Sequence, residues 1–279
     1  MKRRRFLPAL VAAFAALLLA SCTSAPGGLR VVTGTALIAN IVSDVAGDRA
    51  IVSNVVPPGT CPGQYDVKPS DVEAAARSRL LLMHDYQRDH RDVQSVINAA
   101  NNPSLAIKVL EVKGNWLVPA VQAQAIDLIA AALSEADPTN TAYFQQRAQQ
   151  RKAAVLAKGE DFQRRLGASG IKGTKVVANV QQAGFLQWAG FDVAATYGRP
   201  EELTLAGLAD LVSRGRAAKA ALVVDNLQTA PDTGKQMARD IGAVQVTISN
   251  FPGGFPGTET WEKTVEDNIA KLLGALGRG

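Results

Sequence analysis

The sequence predicts an α/β protein of two open, parallel-sheet domains joined by a long rigid helix. Three observations carry this. Apolar, β-branched runs alternate with helical patterns from residue 29 to residue 276, the signature of mostly parallel sheets. The order strand, helix, strand, helix, strand with a polar end occurs twice. Between the two occurrences, residues 137–170 keep one apolar face over many helical turns.

In the first half, "LRVVTG" (29–34) reads as a buried strand and "ALIANIVSDVAGD" (36–48), with apolar spacings of three and four, as a helix. "AIVSNVVPPG" (50–59) is a strand running into a proline-stiffened loop. "PSDVEAAARS" (69–78) starts a helix, with Pro69 suited to an early turn and Ser70 or Asp71 able to cap. "RLLLMHD" (79–85) and "LAIKVLEV" (105–112) are the third and fourth strands.

Asp137 and Pro138 then open the linking helix. Phe144, Ala148, Val155, Phe162 and Leu166 share one face, and Gly167 and Gly170 close it. About thirty helical residues span about 45 Å, the length of a strut. Gly159 lies inside the pattern at a cost of about 1 kcal/mol, and we expect one helix, not two.

In the second half, "TKVVAN" (174–179), "FDVAATYG" (191–198), "AALVVDN" (220–226) and "GAVQVTIS" (242–249) are strands. "AGFLQWAG" (183–190), "PEELTLAGLADLVSRGRA" (200–217) and "TWEKTVEDNIAKLLGAL" (260–276) are helices. The helix at 200–217 has acids in its first turn and bases in its last, as the helix dipole prefers. "RLLLMHD" and "AALVVDN" take equivalent places. Each half is thus Rossmann-like, with domains expected at 29–136 and 171–279 about a linker at 137–170.

Ligands bind outside the carboxyl ends of parallel strands. Those ends lie near Thr35 and in 57–66, 84–87, 113–117, 179–184, 198–200, 225–229 and 249–257. If the domains face each other, all of these line one cleft.

The amino terminus has a basic segment, "MKRRR", a short apolar run, and "LASC" ending at Cys22. This is the pattern of a secretory signal, and the run falls short of the roughly 20 residues of a spanning helix. The tetrapeptide resembles the lipobox of bacterial lipoproteins. It implies cleavage after residue 21, lipidation of Cys22, and a flexible tether over 22–28. An ordinary signal peptide or an uncleaved anchor is the alternative. Loss of the four bases at positions 2–5 takes the formal charge from +5 to +1, which leaves no footprint for nucleic acid. Cys61 is then the sole thiol, so no disulfide forms within the chain. No phosphate-binding loop and no paired-cysteine zinc spacing is present.

Several stretches resemble the zinc/manganese-type solute-binding lipoproteins of ABC importers. They are the "PPGT" loop (57–60), the "PSD" helix start (69–71), "NWLVPAVQAQAIDLIAAALSEADPTNTAYF" (115–144) and "VVDNLQ" (223–228). The likeness covers nearly all of the mature chain. It implies two domains on a rigid helix and a metal ion in the cleft, handed to a membrane permease. The departures are equally clear. Where the family pattern places histidines, this chain has Gly63, Gly114 and, in the third stretch, Asn179, Gln181 and Gln182. Only the acidic ligand has a counterpart, Asp225. "CPGQYD", "GNW", "QAGFLQWAGF", "DNLQ" and "NFPGGFPGTETW" resemble a divergent branch of that family, in which the position of Gln64 is often His.

The expected metal-site residues are Cys61, Gln64, His84, Gln181 and Asp225, with Tyr65, Gln182, Gln228 and Asn250 lining the cleft. A thiolate suits zinc or a softer ion, and Cys61 sits at a strand end between prolines. A small buried packing residue is the other role open to it. His84 is either a ligand or a hydrogen-bond donor to a loop carbonyl. His90, in "QRDHRD", is expected to be solvated. Asp225 is either a ligand or a cap on the next helix or turn. Trp116, Trp188 and Phe255 are cleft walls or core. Such a set has too few carboxylates for bare manganese. It fits zinc or a softer ion, a metal complex, or a small polar molecule held by hydrogen bonds.

The expected function is therefore that of an exported, lipid-anchored, monomeric substrate-binding protein, facing outside or the periplasm. It would deliver a transition metal or metal-containing ligand to ABC permease subunits, with no catalytic cofactor. Two other readings stand beside it: a thiol enzyme with Cys61 as nucleophile and His84 as base, and a surface adhesion protein on a transporter scaffold.

Overall fold

A computed structural model describes residues 28–229 and 231–278. The expected signal segment and Cys22 lie outside the described residues.

The first half runs β1 (Leu29–Thr35), α1 (Ala36–Ala46), β2 (Ala50–Val56), α2 (Pro69–Ala76), β3 (Leu80–His84), α3 (Arg91–Ala100), β4 (Ala106–Leu110) and α4 (Pro119–Ala136). A turn of 3-10 helix at Pro138–Asn140 leads into α5 (Thr141–Ala168). The second half runs β5 (Lys175–Asn179), α6 (Ala183–Ala189), β6 (Asp192–Tyr197), α7 (Leu205–Ala218), β7 (Leu222–Asn226), α8 (Gly234–Ile241), β8 (Val244–Ile248) and α9 (Trp261–Ala275).

The two sheets have the same order, β2-β1-β3-β4 and β6-β5-β7-β8, and every pairing is parallel. In each, the chain leaves the first strand to one side and returns to the other. The switch points therefore fall between β1 and β3 and between β5 and β7, where crevices open at the strand ends. The inner strands are buried on both faces: Leu80, Leu81, Leu82 and Met83 have at most 1% exposure. Helix-covered parallel sheets require such continuous apolar runs.

The linking element is one unbroken helix of 28 residues, about 42 Å long. Phe144, Ala148, Val155, Phe162 and Leu166 all lie on its buried side. It packs against α4 and α1 from the first half and α9 from the second, and the apolar cluster along it includes residues of both sheets. Gly159 belongs inside it for a steric reason. A Cβ there would stand 2.4 Å from Pro119 Cγ, so its absence lets the start of α4 approach.

One boundary moves. The helix expected over 200–217 begins at Leu205, after a separate 3-10 turn at Pro200–Glu202. Thr204 is the reason: its Oγ1 accepts from Gly207 N at 3.0 Å and caps α7. Among the described residues, no helix is long and apolar enough to cross a membrane.

Candidate functional site

A cavity of about 570 Å³ lies between the two halves. It is walled by the residues that follow β2, β3, β4, β5, β6, β7 and β8. With the exceptions of Leu37, His90 and Val112, every lining residue falls within the strand-end segments read from the sequence.

The two switch points supply its floor. At the first, β1 runs without a loop into α1, and Thr35 caps that helix by accepting from Ile38 N at 3.5 Å. Thr35 Oγ1 also lies 2.9 Å from His84 Nε2, the end of β3. The imidazole is fixed between Tyr86, stacked at 4.9 Å, and Trp116, edge-on at 4.3 Å. Burial pushes its pKa down to about 3, against the pull of Asp85. The ring is neutral at physiological pH, and its expected loop-carbonyl bond is replaced by the Thr35 hydroxyl. A residue without a sequence signal holds this corner. Gln87 is fully buried, donates to Gly34 O at 3.1 Å and accepts from His84 N at 3.2 Å.

At the second switch point stands Asn226, also fully buried. Its Oδ1 accepts from Gln228 N at 2.8 Å and Thr229 N at 3.2 Å, while its Nδ2 has no partner.

Cys61 lines the cavity, buried, and its thiol donates to the Pro62 carbonyl at 3.3 Å. Burial raises its pKa, opposed by the nearby Arg199 guanidinium. His90 also lines the cavity instead of standing in solvent. Its buried Nδ1 has no partner, and it packs against Gly63. Gly63 and Gly114, two of the positions where the family resemblance places histidines, adopt φ of 89° and 100°. This left-handed region strains any residue with a Cβ, and a Cβ on Gly63 would approach His90 Nδ1 to 3.2 Å.

The remaining expected residues divide. Gln181, Gln228 and Asn250 line the cavity. Gln64, Tyr65, Gln182 and Asp225 do not. Gln64 is exposed, with Nε2 3.4 Å from Glu201 Oε1. The Tyr65 hydroxyl donates to Asp71 at 2.9 Å. Gln182 is buried and donates to Ile248 O at 3.3 Å. Asp225 is buried on the other face of β7, where it accepts from Tyr197 Oη, Gln245 Nε2 at 2.7 Å and Gly234 N at 2.9 Å. It thus takes the helix-capping role left open for it, at the start of α8. Burial raises its pKa, opposed by these bonds. Of the aromatics, Trp116 walls the cavity, whereas Trp188 packs beside Phe185 and Phe255 beneath Lys271.

Asn115, Lys113 and Arg199 are lining residues that sequence reasoning did not single out, although all three lie in strand-end segments. Asn115 joins the halves, donating to Gln181 O at 2.9 Å and Asn250 Oδ1 at 3.0 Å. Gln228 does the same from the other side, donating to Pro58 O at 2.8 Å. Among the described residues, no group of three His, Cys, Asp or Glu side chains could hold a metal ion.

The family model of the periplasmic component A of the zinc-uptake complex (ZnuA) matches residues 31–275. The chain belongs to this family. That family is a component of a zinc-uptake complex, which counts against the thiol-enzyme reading. The structure gives that reading no support either, since His84 Nε2 faces Thr35 and the Cys61 thiol faces Pro62. The manganese ABC transporter substrate-binding lipoprotein scaA of Streptococcus gordonii is 34% identical over 89 residues. That match covers 29% of this chain and 28% of the relative's length. The periplasmic zinc binding protein TroA of Treponema pallidum has the same fold, with a TM-score of 0.75 at 18% identity over 90% of this chain and 99% of that one. A Cd-bound periplasmic metal binding protein of Candidatus Liberibacter asiaticus superposes with a TM-score of 0.74 at 15% identity, covering 88% of this chain and 98% of that one.

Proposed function

We propose that this protein is the extracytoplasmic substrate-binding component of an ABC importer. It takes up a transition metal, as ion or in complex, between its two halves and presents it to the permease. The observation that supports this most directly is the cavity itself. In a chain of the zinc-uptake family, a half-open cleft is lined by the strand ends of both sheets, at both switch points. Cys61, His84 and His90 are its soft and borderline donors, and Gln181, Gln228 and Asn250 its polar wall. Asp225 is left out of the binding set, because its carboxylate is committed to α8 and β8. Lipidation at Cys22 holds the protein, as a monomer, on the outer face of the cell membrane.

The test is elemental analysis of protein purified from its own host, together with metal uptake by cells lacking it. We expect a stoichiometric transition metal, at least tenfold reduced occupancy in Cys61→Ser, and slower uptake without the protein. Unchanged uptake and a metal-free protein would sink the importer reading. Full occupancy in Cys61→Ser would remove the thiol from the site. Labelled palmitate incorporated by the wild type and not by Cys22→Ala checks the anchor.

A further inference from the structure

The hydrogen-bonding account of the cavity wall is lopsided. A bare dication needs several lone pairs at once, and each side-chain amide oxygen of Gln181, Gln228, Asn250 and Asn226 already accepts at least one hydrogen bond from the protein. Gln181 Oε1 accepts from Thr229 Oγ1 at 3.1 Å, Gln228 Oε1 from Asn250 N at 3.0 Å, and Asn250 Oδ1 from Asn115. Asn226 Oδ1 accepts two backbone amides. Asp85 is paired with Lys113.

Two strong donors are uncommitted. Asn226 Nδ2 is buried without a partner. Arg199 is half-buried and makes no ion pair among the described residues. With Lys113 offset by Asp85, Arg199 is the one lining cation left without an ion pair among the described residues, with the Glu201 and Asp92 carboxylates behind the Cys61 loop, and its guanidinium can receive an anionic group. Lone pairs remain on the Cys61 sulfur and on His90 Nδ1, the latter having no partner.

Size and polarity agree. About 570 Å³ lies in the range of small-molecule sites, roughly 300–1,000 Å³, and far exceeds an ion. Tyr86 and Val180 are 47% and 54% exposed and both line the cavity, so it has apolar wall to cover.

We propose that the cargo enters as an anionic, carboxylate-bearing chelate of a transition metal and not as the free dication, with Arg199 and Asn226 Nδ2 receiving its carboxylates. Open coordination positions on the chelated metal face Cys61 and His90. This rests on the importer reading above and narrows its substrate.

Titration calorimetry separates the two. The probes are zinc chloride in a non-coordinating buffer, the 1:1 zinc complexes of nitrilotriacetate and citrate, and the metal-free chelators. At least one zinc chelate is expected to bind at 1:1 and at least tenfold more tightly than zinc chloride or its own chelator. Arg199→Met, with its fold checked by circular dichroism, should weaken chelate binding at least tenfold and leave zinc chloride unaffected. Asn226→Asp keeps both backbone hydrogen bonds and replaces the free donor with a carboxylate oxygen, so it should lose the chelate and gain affinity for zinc chloride. Zinc chloride binding as tightly as both chelates would overturn the chelate and leave the importer standing. Metal-free chelator binding as well as its zinc complex would overturn both in favour of an organic anion. Binding of no probe would likewise overturn the chelate, and, with a metal-free native protein, the importer too.

Discussion

His84 shows how the burial of one side chain couples stability to pH. Its pKa falls from 6.5 to about 3 because its neighbourhood disfavours the charged ring. The ring stays neutral far into acid. The same shift has a cost on acidification. Between pH 6.5 and about 3 the unfolded chain takes a proton that the native state refuses, so this part of the stability is complete above 6.5 and is lost as pH falls. The slope is about 1.4 kcal/mol per pH unit. Urea unfolding at pH 7, 6, 5 and 4 should show a shallower decline in His84→Gln than in the wild type, and parallel declines would refute the assignment. Gly63 gives a second case. Reinstating the family side chain with Gly63→His meets both φ of 89° and the His90 ring. We expect a loss of about 1–3 kcal/mol and no gain in affinity for zinc chloride.

At the scale of elements, the sequence was most legible where periodicity is long and least where one residue decides a direction. All eight expected strands form, because each is an apolar run bounded by turn residues. The register between halves is where the reading slipped. Matched position for position, "RLLLMHD" and "AALVVDN" pair His84 with Asp225. The ladders instead pair Val31 with Leu80 and Val176 with Leu222, so Leu80 matches Leu222 and His84 matches Asn226. A slip of one residue turns every side chain to the other face, which is why Asp225 looks away from the cavity and Asn226 into it. His90 was missed for a related reason: a charged neighbourhood suggested solvent, but it precedes α3 at the cavity edge. In α5, Gly159 offers a test with a sign reversal. Gly to Ala in a helix normally gains about 1 kcal/mol. Here the new methyl meets Pro119 Cγ at 2.4 Å, and we expect Gly159→Ala to lose about 1–3 kcal/mol by overpacking, measured by urea unfolding.

At the scale of the whole molecule, the duplicated strand order made the cleft's position readable. Its chemistry was not, because that depends on which polar atoms the fold has already satisfied. The same separation of scaffold from site appears in how the halves are tied together. Arg151, on α5, pairs with Asp44 on α1 at 2.8 Å and with Glu262 on α9. Nearby, Trp261 N donates to Asn40 Oδ1 at 3.2 Å, and the Phe162 and Trp261 rings lie 6.2 Å apart. None of these residues lines the cavity. Burial raises the Asp44 pKa more than Arg151 lowers it, whereas at Glu262 burial is again the largest single influence but the Arg151 hydrogen bond and charge, with bonds from the backbone and Thr260, together override it. Arg151→Met would leave two partly buried carboxylates facing each other, at a cost of about 2–4 kcal/mol near pH 7. Without the guanidinium both carboxyl pKa values rise from where they stand in the wild type, so the variant recovers stability relative to the wild type as pH falls through them. The deficit should therefore be smaller at pH 5 than at pH 7 in urea unfolding. Because the apolar cluster along α5 is continuous across both halves, cargo affinity should change less than about threefold. An affinity that falls in step with stability would mean that this clasp, and not the helix packing, holds the two sheets in their binding arrangement.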